Sequence, residues 1–240
     1  MSQFKNDLFE TNNRPYPESK KFNPTSGVIK LSPSSLNLFI ECPRCFWLYV
    51  NRGIQRPRIP VATITTGLDR VIKDYFNLYR QKNILPPLLK GKVPGRLIAK
   101  IPNKGWLEYV DTKENARLGG YLDECVDLGD NFYAVLDHKT RGRAPDEVHR
   151  AYQLQMDVYT FLLEKNRFPT KKTAYIVYYF PLKVNENNDF LFEALVKEIK
   201  TSPEEAKEVF YQAIKVLKSP VPKINDTCEF CKWIKTQDIK

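Results

Sequence analysis

The sequence predicts an α/β fold in which a mixed central sheet is flanked by helices. Residues 132–136 form an almost continuous apolar run, which is typical of a strand buried on both faces. From Leu68 to Tyr79, apolar residues recur at offsets of 0, 3, 4, 7, 8 and 11, which indicates an amphipathic helix. A chain of 240 residues can build one sizeable core, so we expect a single domain.

The predicted elements follow one another in the order α, α, β-hairpin, α, β, α. The first helix begins at Ser32-Pro33, where a capping serine precedes a proline at the first helical position, and runs toward Cys42 and Cys45. A second helix starts near Gly67, and residues 82–105, rich in Pro, Lys and Gly, predict a long basic loop. The later elements are strands at 118–128 and 131–138 joined by a turn at Gly129-Asp130, a helix at 145–165, a strand at 174–180 and a helix at 203–217.

The N-terminal residues differ in composition from the rest of the chain. Residues 1–28 are polar, rich in Asn, Lys and Pro, and without periodicity, which predicts a flexible segment outside the fold. Residues 29–240 then form the single domain. No apolar run of about 18 residues and no signal-peptide core are visible, so we predict a cytoplasmic protein with no membrane partner.

The charge balance favours a polyanionic partner. Lys and Arg number 38 against 28 acidic residues, which gives a formal charge of +10 and a pI near 9.3. A positive surface field attracts nucleic acid, although a basic surface can also serve solubility alone. Candidate phosphate contacts are Arg141, Arg143, Lys90, Lys92, Lys171 and Lys172.

An acid and a lysine end the buried strand. Asp137 and Lys139 are two residues apart, so their side chains point to the same side of it. Asp123 lies in the preceding hairpin strand, where pairing would bring its carboxylate beside that of Asp137. Two adjacent carboxylates attract a hard divalent cation, and a lysine beside metal-bound water suits phosphodiester hydrolysis. The alternative is that this D-x-K triplet is a solvated strand end.

Three segments together resemble the RecB-like branch of the PD-(D/E)XK nuclease superfamily: Gly120-Tyr-Leu-Asp123, Val135-Leu-Asp-His-Lys-Thr140 and Gln155-Met-Asp-Val-Tyr159. The resemblance implies a restriction-endonuclease-like core that hydrolyses DNA using Mg²⁺ or Mn²⁺. We expect the DNA partner to have single-stranded character. It implies that Asp123 and Asp137 ligate the metal, that Lys139 is catalytic, and that Gln155 and Tyr159 support the site. The alternative for Gln155 and Tyr159 is a polar pair one turn apart on the inner face of their helix.

The resemblance is incomplete at one position. The branch usually carries a histidine at the start of a helix, after a glycine and a hydrophobic residue, whereas Gly67-Leu68 is followed here by Asp69. An aspartate oxygen suits Mg²⁺, so Asp69 is a candidate third ligand. It could equally be a first-turn residue favoured by the helix dipole.

Four of the five cysteines form two CxxC pairs near opposite ends of the chain, Cys42 with Cys45 and Cys228 with Cys231. Four thiolates suit either tetrahedral Zn²⁺ or a 4Fe-4S iron–sulfur cluster. The pairs resemble the cysteines of the iron–sulfur subgroup of RecB-like nucleases, which implies a cluster joining the chain ends, but that subgroup has one cysteine at the N-terminal end and three at the other. Simple reduced cysteines are the third alternative, and Cys125 is expected to be a small buried hydrophobe.

Two other functions fit parts of the sequence. The missing histidine is compatible with a noncatalytic nucleic-acid-binding module of the same fold and cysteine site. That reading leaves no reason to keep two acids and a lysine together, because buried charges without a ligand are costly. A purely structural zinc protein leaves the D-x-K strand unexplained.

Overall fold

The computed structural model describes residues 27–57, 63–99 and 105–236. All but the last two residues of the segment predicted to be flexible, 1–28, lie outside these ranges. Within the described residues, no helix is long and apolar enough to cross a membrane.

The described chain contains six α-helices and eight strands. The helices are α1 (Pro33–Glu41), α2 (Pro43–Arg52), α3 (Thr63–Arg80), α4 (Arg150–Lys165), α5 (Pro203–Leu217) and α6 (Glu229–Thr236), with a short 3-10 helix at Pro87–Leu89. The strands are β1 (Ile29–Leu31), β2 (Arg96–Leu97), β3 (Trp106–Asp111), β4 (Ala116–Tyr121), β5 (Glu124–Gly129), β6 (Phe132–Thr140), β7 (Thr170–Val184) and β8 (Phe190–Lys200).

The strands form two mixed sheets. The larger has the order β2-β5-β6-β7-β8, in which β6 and β7 are parallel and the other neighbours are antiparallel. Helix α4 is the crossover between the two parallel strands, as such a connection requires. The smaller sheet has the order β1-β4-β3, with β1 parallel to β4. The predicted mixed α/β architecture is confirmed.

The central strands of the larger sheet are buried on both faces. In β7, Ala174, Ile176 and Tyr178 point into a core cluster shared with α1, α4 and α5. The alternate residues Tyr175 and Val177 point into a second cluster with α3. This double burial explains the continuous apolar run in β6.

The predicted strand at 118–128 is wrong in one respect, because it is two strands in different sheets. Strand β4 ends at Tyr121 and β5 begins at Glu124, so Leu122 and Asp123 lie at the switch between the sheets. The apolar pattern continues through the switch because residues on both sides of it are buried, so the pattern does not reveal the break.

Other boundaries also differ from the predictions. The basic loop at 82–105 contains the 3-10 helix and β2, and its Leu89 and Leu97 are fully buried. Helix α4 begins at Arg150, after His149 caps it, rather than at 145. Strand β7 extends well beyond 174–180 at both ends. Helices α2 and α6 and strands β1, β3 and β8 were missed. In α2 and β8, polar residues weaken the apolar pattern.

Candidate active site

Strand β6 directs Asp137 and Lys139 toward α4. Alternation along β6 places Val135 in the core cluster of α4, and Asp137 and Lys139 follow on the same face. The Asp137 side chain is buried, with 3% exposure, and its Oδ2 forms an ion pair with Lys139 Nζ. Lys139 Nζ also lies 4.9 Å from the centre of the Tyr152 ring, which is the geometry of a cation–π contact.

Asp123 reaches the same strand end from the switch between the sheets. The last ladder pair of β5 and β6 is Glu124 with Leu136, so Asp123 is the next residue beyond it, opposite Asp137. The backbone N–H of His138 donates a hydrogen bond to Asp123 Oδ2 at 3.2 Å. The Asp123 carboxylate therefore sits against the peptide that joins Asp137 to His138.

Helix α4 presents Gln155 and Tyr159 to this group. Gln155 Nε2 donates to Asp137 Oδ1 and to Tyr159 Oη, both at 3.3 Å. The Tyr159 ring in turn packs on Gly120, where a Cβ atom would lie 2.7 Å from the ring. A side chain at position 120 would displace Tyr159, so the glycine and the tyrosine of two separate motifs depend on each other.

Burial dominates the electrostatics of the site. Burial raises the pKa of Asp137 to about 6; the charge of Asp123 also raises it and the Lys139 ammonium lowers it. Burial raises the pKa of Tyr159 to about 12, so its phenol is neutral at physiological pH. Asp137 Oδ2 is buried, and its partner among the described residues is the Lys139 ammonium, with which it forms an ion pair. A buried carboxylate beside a second carboxylate is a set of ligands that suits a hard cation.

Asp69 lies on α3, on the opposite side of the sheet from α4. Its exposed side chain accepts a hydrogen bond from Lys73 Nζ at 2.9 Å. This contact, and then the charges of Asp123 and Asp137, raise the pKa of Lys73. In the described chain, however, Asp69, Asp123 and Asp137 are not a group close enough to share an ion, and ligation by Asp69 stays a prediction.

A buried charge network beside the site was missed by sequence reasoning. Glu124, 1% exposed, accepts hydrogen bonds from Arg80 of α3, with Arg80 Nε at 2.8 Å and Nη2 closer still. Burial raises the pKa of Glu124, but His138 and Arg80 more than offset it and lower the net value. His138 Nδ1 lies 3.2 Å from Tyr179 Oη, which extends the network into β7. The sequence signal that could have indicated this network is Glu124 itself, an acidic residue between Leu122 and Cys125 in an otherwise apolar stretch.

The four paired cysteines meet in one buried cluster, as predicted. Their ligand atoms all lie within 4.8 Å of one another, and the cluster joins the α1–α2 junction to the start of α6. Burial raises the pKa of Cys45 to about 12. Burial also acts to raise the pKa of Cys228, but the backbone N–H of Cys231 and the neighbouring thiols lower it to about 7. Cys125 lies apart in the main core, as expected of a small hydrophobe.

The basic residues divide between the two ends of the sheet. Arg141 follows β6 and lies over the Tyr152 ring, 5.7 Å from its centre, so it shares that ring with Lys139. Lys171 and Lys172 start β7, which pairs with β6 in parallel from Tyr133 onward. They are therefore at the opposite end of the sheet from Lys139, and the structure does not support their predicted place on a nucleic-acid path through the site.

The chain belongs to the PD-(D/E)XK nuclease superfamily, because the model of that family matches residues 97–236, more than half of the sequence. Membership implies nuclease-type phosphodiesterase activity. No curated protein matches the chain significantly. Among solved structures, the one described as "Crystal structure of SSO0001" shares 13% identity and a TM-score of 0.41, over 80% of this chain and 79% of that one.

Proposed function

We propose that the chain is a metal-dependent nuclease of the RecB-like branch that hydrolyses phosphodiester bonds in DNA. The observation that carries the proposal is the end of β6, where the buried Asp137 carboxylate pairs with Lys139 and Asp123 packs against the next peptide. The contact of Gln155 with Asp137 supports the assignment to the branch, since it joins two of the motifs on which the resemblance rests.

Asp123 and Asp137 are the residues that would hold Mg²⁺ or Mn²⁺. Both ions prefer carboxylate oxygens, and a bound ion supplies a hydroxide near neutral pH and neutralises charge on the phosphate. Burial raises the pKa of Asp137 to about 6, so its carboxylate is more basic than that of an ordinary aspartate. Loading the site with a cation would remove the cost of burying that charge.

Lys139 is the residue that would act on the reacting atoms. Its side chain is 17% exposed, and the ammonium contacts Asp137 and the Tyr152 ring. From there it would orient the attacking water and stabilise the negative charge that develops on the phosphate. Gln155 is a positioning residue in this scheme, since its amide fixes the Asp137 carboxylate, and Tyr159 supports Gln155 in turn.

The path of the substrate would begin at Arg141 and Tyr152. A groove lined by residues 141–147 opens directly after β6, with Arg141 and Arg143 in its wall. Arginines neutralise phosphates and an aromatic ring can stack on an unpaired base, so this region favours DNA with single-stranded character.

The test is cleavage of labelled single-stranded DNA, duplex DNA and RNA by the full chain with Mg²⁺, Mn²⁺ or EDTA. Lys139→Met should lower the cleavage rate at least 100-fold without changing the fold, whereas Lys207→Met, an exposed lysine of α5, should have no effect. Gln155→Ala should lower the rate less, by about 10-fold, because it only releases the Asp137 carboxylate. Folded protein that binds DNA but cleaves none of these substrates would instead identify a noncatalytic binding module.

A further inference from the structure

We propose that the four-cysteine cluster binds one tetrahedral zinc ion and not the four-iron cluster that the iron–sulfur subgroup of RecB-like nucleases would imply. The inference concerns a site separate from the carboxylates, so it holds or fails independently of the nuclease activity.

The spacing of the sulfur atoms fits a single ion. Cys42 Sγ lies 3.7 Å from Cys231 Sγ, Cys45 Sγ lies 3.7 Å from Cys228 Sγ, and Cys45 Sγ lies 4.0 Å from Cys231 Sγ. With a zinc–sulfur bond of about 2.3 Å, the sulfurs of a regular tetrahedron stand about 3.8 Å apart. The three distances are close to that edge length.

A four-iron cluster does not fit the residues as they are placed. Each cysteine of such a cluster binds a different iron at a corner of the cube, so its sulfurs stand roughly 6 Å apart or more. All four sulfurs here lie within 4.8 Å of one another. The cysteines are also buried, with Cys42 fully enclosed, so the cluster would have to force both pairs apart within packed structure.

The two CxxC pairs deliver their thiolates in the same way. Cys42 is the N-cap of α2, and its Sγ accepts a hydrogen bond from the Cys45 backbone N–H at 3.5 Å. Cys228 directly precedes α6, and its thiol is contacted by the Cys231 backbone N–H. Each CxxC pair therefore forms a turn at the start of a helix and presents two sulfur atoms. Together the two pairs provide the four ligands of one tetrahedral site.

Arg56 supplies the charge that such a site needs. Four thiolates around Zn²⁺ carry a net charge of −2, and this charge would be buried. Arg56 Nη2 donates to Cys228 Sγ at 3.5 Å, and its guanidinium lies 4.8 Å from the centre of the Phe230 ring. Glu41 holds the other side of Arg56 at 2.6 Å, so the cation is fixed against the cluster.

The test is the metal content of the full chain, purified without oxygen from cells given no added metal. Elemental analysis and a labile-sulfide assay should find one zinc per chain, without stoichiometric iron or sulfide. Exchange of the ion for Co²⁺ should then give the intense visible absorption of tetrahedral cobalt–thiolate coordination. Cys228→Ser should lower the zinc content, while Cys125→Ser, a buried cysteine outside the cluster, should leave it unchanged.

Two results would overturn the proposal: about four irons with matching sulfide per chain, or protein that binds neither zinc nor iron after anaerobic purification. Neither result depends on whether the chain cleaves DNA. If Cys228→Ser fails to fold, the metal content of the unaltered chain still decides between the two centres.

Discussion

At the scale of single residues, Asp137 and Asp157 carry carboxyl groups whose surroundings give them different uses. Burial raises the pKa of each to about 6. Asp157 Oδ1 accepts hydrogen bonds from the Ser202 backbone N–H at 2.8 Å and from Gln153 Nε2 at 2.9 Å, so it ties α4 to the start of α5. Asp137 Oδ2 pairs instead with the Lys139 ammonium. The first group is a structural acceptor, and the second lies beside the lysine and the second aspartate of the proposed metal site.

Asp157→Asn should stabilise the protein at neutral pH. The pKa of Asp157 is raised from 3.8 to about 6, so the folded state keeps a proton that the unfolded state has already lost. The stabilisation that the protonated Asp157 contributes is therefore fully present below about pH 4 and decreases as the pH rises to about 6. The total decrease in the free energy of unfolding is at most about 3 kcal/mol. Asparagine keeps an oxygen for Ser202 and removes this loss.

Urea unfolding at a series of pH values measures the effect. The free energy of unfolding of Asp157→Asn minus that of the unaltered chain should increase by about 1–3 kcal/mol between pH 4 and pH 7. Asp146→Asn, which removes an exposed carboxylate, is the matched control and should show no such trend. A difference that is constant with pH, or that decreases, would mean that Asp157 is not held in a protonated form.

Sequence reasoning identified the single residues of the candidate site but not the buried charge network beside it. Asp123, Asp137, Lys139, Gln155 and Tyr159 could be singled out because each stands at a fixed position in a motif, and the structure places them around one strand end. The buried network was not predictable in this way. Arg80 and Glu124 are separated by 44 residues, and no local pattern relates a helix residue to its partner across a sheet.

At the scale of elements, one ion pair fastens α3 to the sheet. Arg80 stands at the last residue of α3 and binds Glu124, the first residue of β5. Phe76, one turn earlier, packs its ring against His138 of β6, with 4.3 Å between the ring centres. Because α3 also carries Asp69, this fastening sets where that side chain stands relative to Asp123 and Asp137.

Arg80→Met should destabilise the protein by about 3–5 kcal/mol, because it leaves Glu124 buried without its partner. The double variant Arg80→Met/Glu124→Gln should recover most of this loss, since no uncompensated charge remains. Denaturant unfolding of the two single variants and the double variant measures the coupling.

An exposed ion pair in the larger sheet is the control for the buried pair of Arg80 and Glu124. Arg96 pairs with Asp127 at 2.9 Å, but the arginine side chain is 66% exposed, so Arg96→Met should cost about 1 kcal/mol or less. Equal losses in Arg80→Met and Arg96→Met would show that burial does not decide the strength of these pairs, and no recovery in the double variant would mean that Arg80 acts through packing.

Periodicity predicted the elements with a clean pattern and failed where two environments meet. The amphipathic pattern of α3 was clear because one face of the helix, which includes Tyr79, packs against the second core cluster, while the other face is exposed. The strand at 118–128 was misjudged because a change of sheet leaves the alternation of buried residues intact. Strand β8 was missed because its Phe190 and Phe192 are exposed and its polar residues interrupt the apolar pattern.

At the scale of the whole molecule, the cysteine cluster closes the chain on itself. That closure could be predicted because metal ligands pair by chemistry and not by distance along the sequence. Other contacts also hold the C-terminal region. From α2, Trp47 Nε1 donates to Ser219 O at 2.9 Å, Asn51 Nδ2 to Leu217 O at 3.0 Å and Arg44 Nη1 to Pro222 O at 2.8 Å. These bonds fix the chain up to Pro222 without the cysteines.

Removal of the cysteine-bound metal should therefore loosen only the final segment. Helix α6 packs on the cysteine cluster through Phe230 and contributes Cys231 to it, whereas Phe46 of α2 lies in the main core. In hydrogen exchange on chelated protein, residues 225–236 should lose protection, while β6 and α4 keep theirs. Chelated Cys125→Ser should behave like the unaltered chain. If β6 and α4 lost protection to the same extent, the metal would be holding the entire fold; if residues 225–236 were unaffected, α6 would be held by packing alone.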